Sequence, residues 1–170
     1  MVSPFAFCPK CGVAGFESGN TKPWHCPSCG FQYFHNMASA VAGLIVCKEY
    51  VLMTQRKLDP AKGQLDLPGG FVEYGESLEQ AISREVFEEL GLQELSWQYF
   101  GSYANQYPYA GVLYHTQDAV FIAQVSHCLK VDPMDDVDAA FWVPADTLDL
   151  SRVAFSSARQ ALQQWQQTLN

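Results

Sequence analysis

Three glutamates near the middle of the chain have the residue type and the spacing of a metal-binding set. Glu85, Glu88 and Glu89 stand at i, i+3 and i+4 of a helix-like segment, so their side chains share one helix face. Like charges at this spacing destabilise a helix. Carboxylates held close together suit magnesium or manganese, which also accept water and substrate phosphate as ligands. The spacing therefore favours a divalent-metal site over its alternative, a solvated acidic helix face.

Four of the six cysteines supply a second candidate metal site near the N-terminus. Cys8 and Cys11 lie in a Cys-Pro-Lys-Cys-Gly frame, and Cys26 and Cys29 lie in a Cys-Pro-Ser-Cys-Gly frame, with fourteen residues between Cys11 and Cys26. Each frame can present two thiolates to one point, and four thiolates complete the tetrahedral shell of a structural zinc ion. We therefore predict a zinc ribbon over residues 1–35. Disulfides or a redox pair are the alternative, which is disfavoured if the protein is intracellular, because that environment keeps thiols reduced.

Composition and charge limit the classes of protein to which these sites can belong. The 170 residues carry a formal net charge of −8, with 48% hydrophobic and 16% charged residues, which indicates a packed globular protein. An acidic chain repels nucleic-acid backbones, and the cysteine-rich segment lacks a basic face, so nucleic-acid binding is disfavoured. The sequence contains neither an apolar run long enough for a membrane nor a recognisable signal peptide, so we expect a cytoplasmic protein.

Hydrophobic patterning predicts the elements that must position the glutamates. The apolar runs at 38–47 and 50–56 are separated by a few residues and predict a β-hairpin. Further strands are predicted at 97–103, 119–125 and 140–143. The organisation is therefore a ribbon over residues 1–35, followed by one α/β domain over residues 36–170.

Two helices are predicted in the α/β domain. The first runs from Ser77 to Leu90, because Ser77 and Gln80 form a capping box and Gly91 is a natural terminator. The second follows residue 153 and has an apolar face typical of a helix that packs on a sheet. That face consists of Phe155, Ala158, Leu162, Trp165 and Leu169.

The acidic helix and the loop before it resemble the signature of a known family. Gly70 is followed after five residues by Glu76, and after seven more by the run Arg84-Glu85-Val86-Phe87-Glu88-Glu89-Leu90-Gly91-Leu92. This pattern matches the Nudix box at every specified position. The resemblance implies an α/β Nudix fold, in which a mixed β-sheet lies between helices and the box forms a loop–helix–loop.

The resemblance also implies roles for the residues of the box. Glu85, Glu88 and Glu89 would bind magnesium or manganese, with the backbone carbonyl of Gly70 as a further ligand. Arg84 would hold a ligand carboxylate in place. The metals would activate a water and polarise the phosphoryl group, while a carboxylate of the helix or of a nearby loop would take the proton.

Other elements of the α/β domain supply further candidates. Nudix domains similar to this one place an acidic residue about six positions before a tryptophan of the last strand, which indicates Asp136 as an additional metal ligand. In the tyrosine-rich segment after residue 103, Tyr107 and Tyr109 could stack a base or a nicotinamide, and interleaved polar residues such as Asn105 and Asp118 could read its edge. Strand packing is the alternative explanation for these tyrosines. Arg56 is a further candidate for substrate binding.

A zinc ribbon in front of a Nudix domain resembles the NADH pyrophosphatase group. The loop at 70–81 is similar to that group's version, whereas the group's Ser-Gln-Pro-Trp-Pro-Phe-Pro run is replaced here by residues 105–111. Because the zinc frame starts at Cys8, we expect the group's additional N-terminal domain to be absent.

From this resemblance we expect a hydrolase that cleaves the diphosphate bond of a nucleoside diphosphate linked to another moiety. NADH, NAD, FAD and ADP-ribose are examples, and a nucleoside monophosphate would be released. Two alternatives are a nucleoside triphosphate pyrophosphohydrolase and a non-catalytic nucleotide-sensing module, and use of a nucleotide-capped RNA end stays open. The expected partner is a nucleotide-type small molecule rather than a membrane, and the sequence is compatible with a homodimer.

Overall fold

The computed structural model describes residues 6–19 and 22–169, and the chain divides into two compact units, Met1–Met37 and Ala38–Asn170. The smaller unit contains an antiparallel sheet in the order β1 (Glu17–Gly19), β2 (Lys22–His25) and β3 (Gln32–Tyr33). Its buried core combines two of the cysteines with aromatic rings. These residues are Cys8, Phe16, Trp24 and Cys26. Two of the four candidate zinc ligands are therefore part of the buried packing of this unit.

The larger unit is built on a mixed sheet. Its strands are β4 (Ala38–Cys47), β5 (Tyr50–Arg56), β6 (Leu65–Asp66), β7 (Gln98–Tyr109), β8 (Val112–Gln124) and β9 (Val137–Pro144). The order is β6-β5-β4-β8-β7, and β9 pairs with β5. The pairing of β4 with β8 is parallel, whereas the remaining strand pairs of this sheet are antiparallel. The predicted hairpin of β4 and β5 is confirmed.

The helices of the larger unit cover opposite faces of this sheet. Successive side chains of strand β4 point to opposite faces of the sheet. Leu44 packs in one hydrophobic cluster with Leu162 and Trp165 of α2 (Ser156–Gln167). The neighbouring Ile45 packs in the other cluster with Ile82 of α1 (Leu78–Leu90). This arrangement confirms the predicted mixed sheet between helices. A short 3-10 helix (Leu150–Arg152) precedes α2.

Two details differ from the sequence-based expectation. Strand β7 runs on to Tyr109 instead of ending near residue 103, so the tyrosine-rich segment forms an edge hairpin with β8. Leu169 was predicted on the buried face of the last helix, but α2 ends at Gln167 and the Leu169 side chain is exposed. Among the residues that the structure describes, none of the helices has the length and apolar character needed to cross a membrane.

Candidate functional site

Local sequence fixes the position of α1 and thereby of its glutamates. The Ser77 hydroxyl accepts a hydrogen bond from the Gln80 backbone N–H at 3.3 Å, and the Ser77 N–H donates to Oε1 of Gln80 at 2.8 Å. This pair is the predicted capping box, which satisfies donors that the first turn of a helix leaves open. The helix ends at Leu90, and Gly91, with a φ of 66°, provides the left-handed C-cap.

Arg84 is enclosed by carboxylates of the helix and of the loop before it. Its Nη1 donates to Glu85 at 2.9 Å and to Glu88 at 3.0 Å, while its Nε and Nη2 donate to Glu76 at 3.1 and 2.7 Å. A further bond from Nη2 reaches the carbonyl of Phe71 at 3.1 Å. These bonds lower the pKa of Glu76 and raise that of Arg84. Such an arrangement suits the role that the resemblance implies, since Arg84 holds carboxylates in place.

Glu89 is the most buried of the three candidate metal-binding glutamates on α1. Its Oε2 accepts a hydrogen bond from the Gly69 backbone N–H at 3.0 Å, which ties α1 to the loop after β6. Burial raises the pKa of Glu89 well above its usual value, and burial also raises the pKa of Glu85 although Arg84 opposes this shift. Carboxylates that resist ionisation in this way gain from a nearby divalent cation, which stabilises their charged form.

Gly70 lies directly against Glu85. A Cβ atom at position 70 would fall 2.5 Å from Oε1 of Glu85, so only glycine leaves room for the carboxylate. The carbonyl of Gly70 accepts from the Val41 N–H at 2.9 Å. Because a carbonyl oxygen has two lone pairs, this bond leaves capacity for a metal ion. The role of Gly70 as a ligand stays a prediction.

Most of the predicted site residues line one cavity of about 390 Å³ in the larger unit. The set comprises Arg56, Gly70, Glu85, Glu88, Glu89, Tyr107 and Asp136. Arg84 and Tyr109 are not in its lining. Asp136 belongs to the loop before β9, where its backbone carbonyl accepts from the Lys57 N–H at 2.9 Å, whereas the neighbouring acid Asp138 does not reach the cavity.

Arg56, Tyr107 and Phe155 form a stacked group in this cavity. The guanidinium carbon of Arg56 lies 4.9 Å from the ring centre of Phe155 and 5.9 Å from that of Tyr107. The two rings are 5.3 Å apart, and Tyr109 packs on Tyr107 from outside at 6.3 Å. Arg56 Nη1 also donates to Oδ2 of Asp66 at 3.1 Å. Burial raises the pKa of Asp66 to about 6, although Arg56 opposes this shift.

Sequence reasoning missed four polar residues of the same cavity and gave Asn105 and Asp118 only as polar neighbours of the tyrosines. The missed residues are Thr54, Asp66, Thr116 and Ser157. They come from β5, β6, β8 and α2, so no local spacing connects them. Asp118 carried a further signal, because it directly precedes an apolar strand run and a charged residue there needs a partner.

The four cysteines of the smaller unit are arranged as two equivalent turns. Gly12 N–H donates to the carbonyl of Cys8 at 2.8 Å, and Gly30 N–H donates to that of Cys26 at 3.0 Å. All four Sγ atoms lie within 4.8 Å of one another, and the cysteines are free thiols. Soft sulfur ligands in a closed group of four fit a tetrahedral zinc ion. In the part of the chain that is described, no other cluster of three or more His, Cys, Asp or Glu side chains has ligand atoms so arranged.

The chain is similar to known proteins over most of its length. The family model of the NUDIX domain matches residues 37–165. The NAD-capped RNA hydrolase NudC of Stutzerimonas stutzeri is 28% identical over 162 residues, which are 95% of this chain and 56% of that protein. The protein of the same name from Vibrio vulnificus is 27% identical over 96% of this chain and 60% of its own length. The chain thus spans little more than half the length of these curated relatives.

Solved structures show the same fold. A Nudix hydrolase from Nitrosomonas europaea aligns with a TM-score of 0.71 at 23% identity, covering 96% of this chain and 91% of that one. The Nudix domain of Shewanella oneidensis NrtR, crystallised with ADP ribose, aligns with a TM-score of 0.66 at 24% identity, over 81% of this chain and 91% of that chain. With the family model covering most of the sequence, the chain belongs to the Nudix family.

Proposed function

We propose that the chain hydrolyses the diphosphate bond of a nucleoside diphosphate linked to another moiety, and that it needs magnesium or manganese to do so. The observation that carries this proposal is the shared cavity, which is lined both by the three box glutamates and by the group of Arg56, Tyr107 and Phe155. The names of the relatives, which refer to NAD-capped RNA, support a dinucleotide diphosphate as the group to be cleaved.

The charge of the cavity supports the proposed requirement for metal ions. Its acidic lining residues are Asp66, Glu73, Glu85, Glu88, Glu89, Asp118, Asp135 and Asp136. Among the described lining residues Arg56 is the only cationic side chain, and it is paired with Asp66. A diphosphate would therefore be repelled by the protein alone. Divalent ions bound by these carboxylates would reverse the local charge, activate a water and stabilise the leaving phosphate.

The residues of the chain have separate tasks in this proposal. Glu85, Glu88, Glu89 and Asp136 would bind the metal ions, and Arg84 would keep Glu85 and Glu88 in position. A carboxylate of the cavity would take the proton of the attacking water. Tyr107 would offer its ring to a base or nicotinamide, next to the Arg56 guanidinium. The four cysteines would bind a structural zinc ion.

The proposal is tested with a substrate panel in the presence of magnesium or manganese. The panel comprises NADH, NAD, FAD, ADP-ribose, diadenosine polyphosphates, an NAD-capped RNA and nucleoside triphosphates. We expect nucleoside monophosphate to be released from the linked diphosphates. Best activity on a triphosphate, with pyrophosphate released, would replace the proposal by a triphosphate pyrophosphohydrolase. Specific binding without turnover would indicate a nucleotide-sensing module.

Two tyrosine variants test how the substrate is held. Tyr107→Ala should raise the KM for NADH on the order of 10-fold, because stacking on a base contributes about 1–3 kcal/mol. Tyr109→Ala should have a smaller effect, because Tyr109 packs on Tyr107 and lies outside the cavity lining. Equal effects of the two variants would contradict this assignment, and both should leave hydrolysis of small diphosphates unchanged.

A further inference from the structure

A group of buried polar residues lies in the cavity apart from the predicted metal ligands. We call the group of Asn105, Thr116, Asp118 and Ser157 the polar recess. All four line the cavity, and each has less than a tenth of its surface exposed. Asn105 and Thr116 are directly paired across β7 and β8, and Ser157 comes from the first turn of α2. Burial of so many polar groups costs free energy unless they bond to each other or to a ligand.

The carboxylate of Asp118 organises the polar recess. Its Oδ1 accepts from the Thr116 hydroxyl at 2.6 Å, and its Oδ2 accepts from the Ser157 hydroxyl at 2.5 Å. Each hydroxyl has one proton, so these bonds fix Asp118 as an acceptor on both oxygens. Each carboxylate oxygen keeps a second lone pair, with which it can accept from a ligand. Asn105 accepts from the Ser156 hydroxyl with its Oδ1 at 3.1 Å, so its amide nitrogen is the group that can donate to a ligand.

The charge of Asp118 favours a ligand that donates hydrogen bonds. Among the described residues of the cavity lining, the one cationic group is Arg56, and its ion pair is with Asp66. An anionic ligand group would therefore meet an uncompensated carboxylate in a buried position. An N–H donor would instead form a charge-assisted hydrogen bond, which is about twice as strong as a neutral one.

The rings next to the polar recess favour a flat ligand. Tyr107 follows Asn105 by two residues on β7, so both side chains are on the same face of the sheet. Phe155 lies 5.3 Å from Tyr107 and directly precedes α2, from which Ser157 points to Asp118. A planar heterocycle that stacks on these rings would present its edge to Asp118 and Asn105.

We propose that the polar recess selects a heterocycle that carries an amino group beside a hydrogen-bond acceptor. The amino group would donate to the Asp118 carboxylate, and the adjacent acceptor would take a hydrogen bond from the Asn105 amide. Adenine has this pattern at its N6 and N1 edge, and nicotinamide has it in its carboxamide. Analogues with oxygen in place of the amino group, hypoxanthine and nicotinate, place a lone pair or a charge against Asp118. This inference rests on the proposed function and specifies which heterocycle its substrate carries.

The first test compares three dinucleotides on the wild-type protein with magnesium. These are NAD, nicotinic acid adenine dinucleotide and nicotinamide hypoxanthine dinucleotide. We expect kcat/KM for one of the two oxygen analogues to fall on the order of 10- to 100-fold, since a hydrogen bond to a charged group contributes about 1.5–3 kcal/mol. The analogue whose kcat/KM falls identifies which ring, adenine or nicotinamide, occupies the polar recess. Values within about twofold for all three dinucleotides would overturn the inference.

The second test exchanges the carboxylate for an amide. Asp118→Asn can turn an N–H donor toward an oxygen analogue, so we expect the preference for the amino compound to shrink at least 10-fold or to reverse. Asp138→Asn is the matched control, because Asp138 is an exposed acid outside the cavity lining, and it should keep the wild-type preference. A purely structural role of Asp118 would lower kcat/KM for all substrates by the same factor, and this result would overturn the inference.

A binding measurement separates failure of this inference from failure of the proposed function. Wild-type protein is titrated with AMP and IMP, and with nicotinamide and nicotinate mononucleotides, in a calorimeter with magnesium. Tighter binding of the amino member of one pair would support the inference about the polar recess even if no dinucleotide is hydrolysed. Because only the wild-type protein is used, this result does not depend on whether a variant folds. Hydrolysis of dinucleotides with equal binding within both pairs would leave the proposed function standing and remove the inference.

Discussion

The four-cysteine site of the smaller unit and the glutamate face of α1 hold their candidate ligands in different ways. In the cysteine site, two identical backbone turns bring four Sγ atoms within 4.8 Å of one another. On α1, the carboxylates of Glu85 and Glu88 are bonded to Arg84, and that of Glu89 is bonded to the Gly69 N–H. The first arrangement is closed around one point, whereas the second lines an open cavity.

Under the proposed function, this difference would separate a site that holds a metal for stability from one that uses metal for chemistry. Four thiolates leave a zinc ion without a free coordination position, so such a site can only stabilise the fold. Carboxylates that are held by protein donors, with room for water and phosphate nearby, suit ions that share their coordination shell with a substrate. Loss of a ligand should therefore affect mainly stability in one unit and mainly turnover in the other.

The largest expected effect concerns the glutamates. Glu88→Gln or Glu89→Gln should lower kcat on the order of 1000-fold, because loss of a metal ligand removes several kcal/mol of transition-state stabilisation. The melting temperature and the zinc content should stay near those of the wild type. Glu79→Gln is the control, since Glu79 is an exposed glutamate on the same helix outside the cavity. Near-normal turnover of both variants at saturating magnesium would show that this face does not bind the catalytic metal.

The reverse pattern is expected for the cysteines. Purified protein should contain about one zinc ion per chain, and Cys26→Ser should remove most of it and lower the melting temperature, because Cys26 is both a candidate ligand and part of the buried core. The folded fraction should keep most of its turnover. Cys128→Ser, at an exposed cysteine of the larger unit, serves as the control for loss of a thiol. Disulfides without zinc, in protein prepared under reducing conditions, would refute the zinc prediction.

The same comparison explains which features could be predicted from the sequence. The cysteine turns, the capping box of α1 and the hairpin of β4 and β5 are each specified by residues close together in the chain, and the structure contains all of them. The spacing of Glu85, Glu88 and Glu89 predicted a common face, and all three line the cavity. Local patterns therefore identified the candidate metal ligands.

The substrate side of the cavity was harder to predict, because its residues meet through tertiary packing. Asp118 and Ser157 are separated by 39 positions, and Arg56 and Tyr107 by 51. Neither pair has a spacing that periodicity can detect. The extension of β7 to Tyr109 was also missed, because a strand at the edge of a sheet is exposed and lacks a continuous apolar pattern.

Two glycine variants sharpen the comparison at an intermediate size of effect. Gly70→Ala should lower kcat on the order of 10- to 100-fold, because its Cβ would displace the Glu85 carboxylate 2.5 Å away and a small displacement of a catalytic group costs this much. The Cβ added by Gly30→Ala would have no atom within 4 Å, but Gly30 has a φ of 70°, a left-handed backbone conformation that strains alanine. This substitution should therefore cost about 1–2 kcal/mol of stability, with zinc retained. Unchanged turnover of Gly70→Ala would show that Glu85 can move without loss of function.

The smallest expected effect concerns the loop before β9, which carries several acids. Asp136 lines the cavity with the box glutamates, and its backbone carbonyl accepts from the Lys57 N–H at 2.9 Å, so we expect its carboxylate to contribute to the metal shell together with those of α1. Asp136→Asn should raise the magnesium concentration for half-maximal activity on the order of 10-fold, because one charged ligand becomes neutral. Asp138→Asn removes the same charge two residues away, outside the cavity lining, and should leave this concentration within about twofold of the wild type. The measurement is a magnesium titration of initial rates at saturating substrate. If Asp138→Asn raised the half-maximal magnesium concentration more than Asp136→Asn did, the metal ligand would be Asp138. The metal site would then extend beyond the residues that line the cavity.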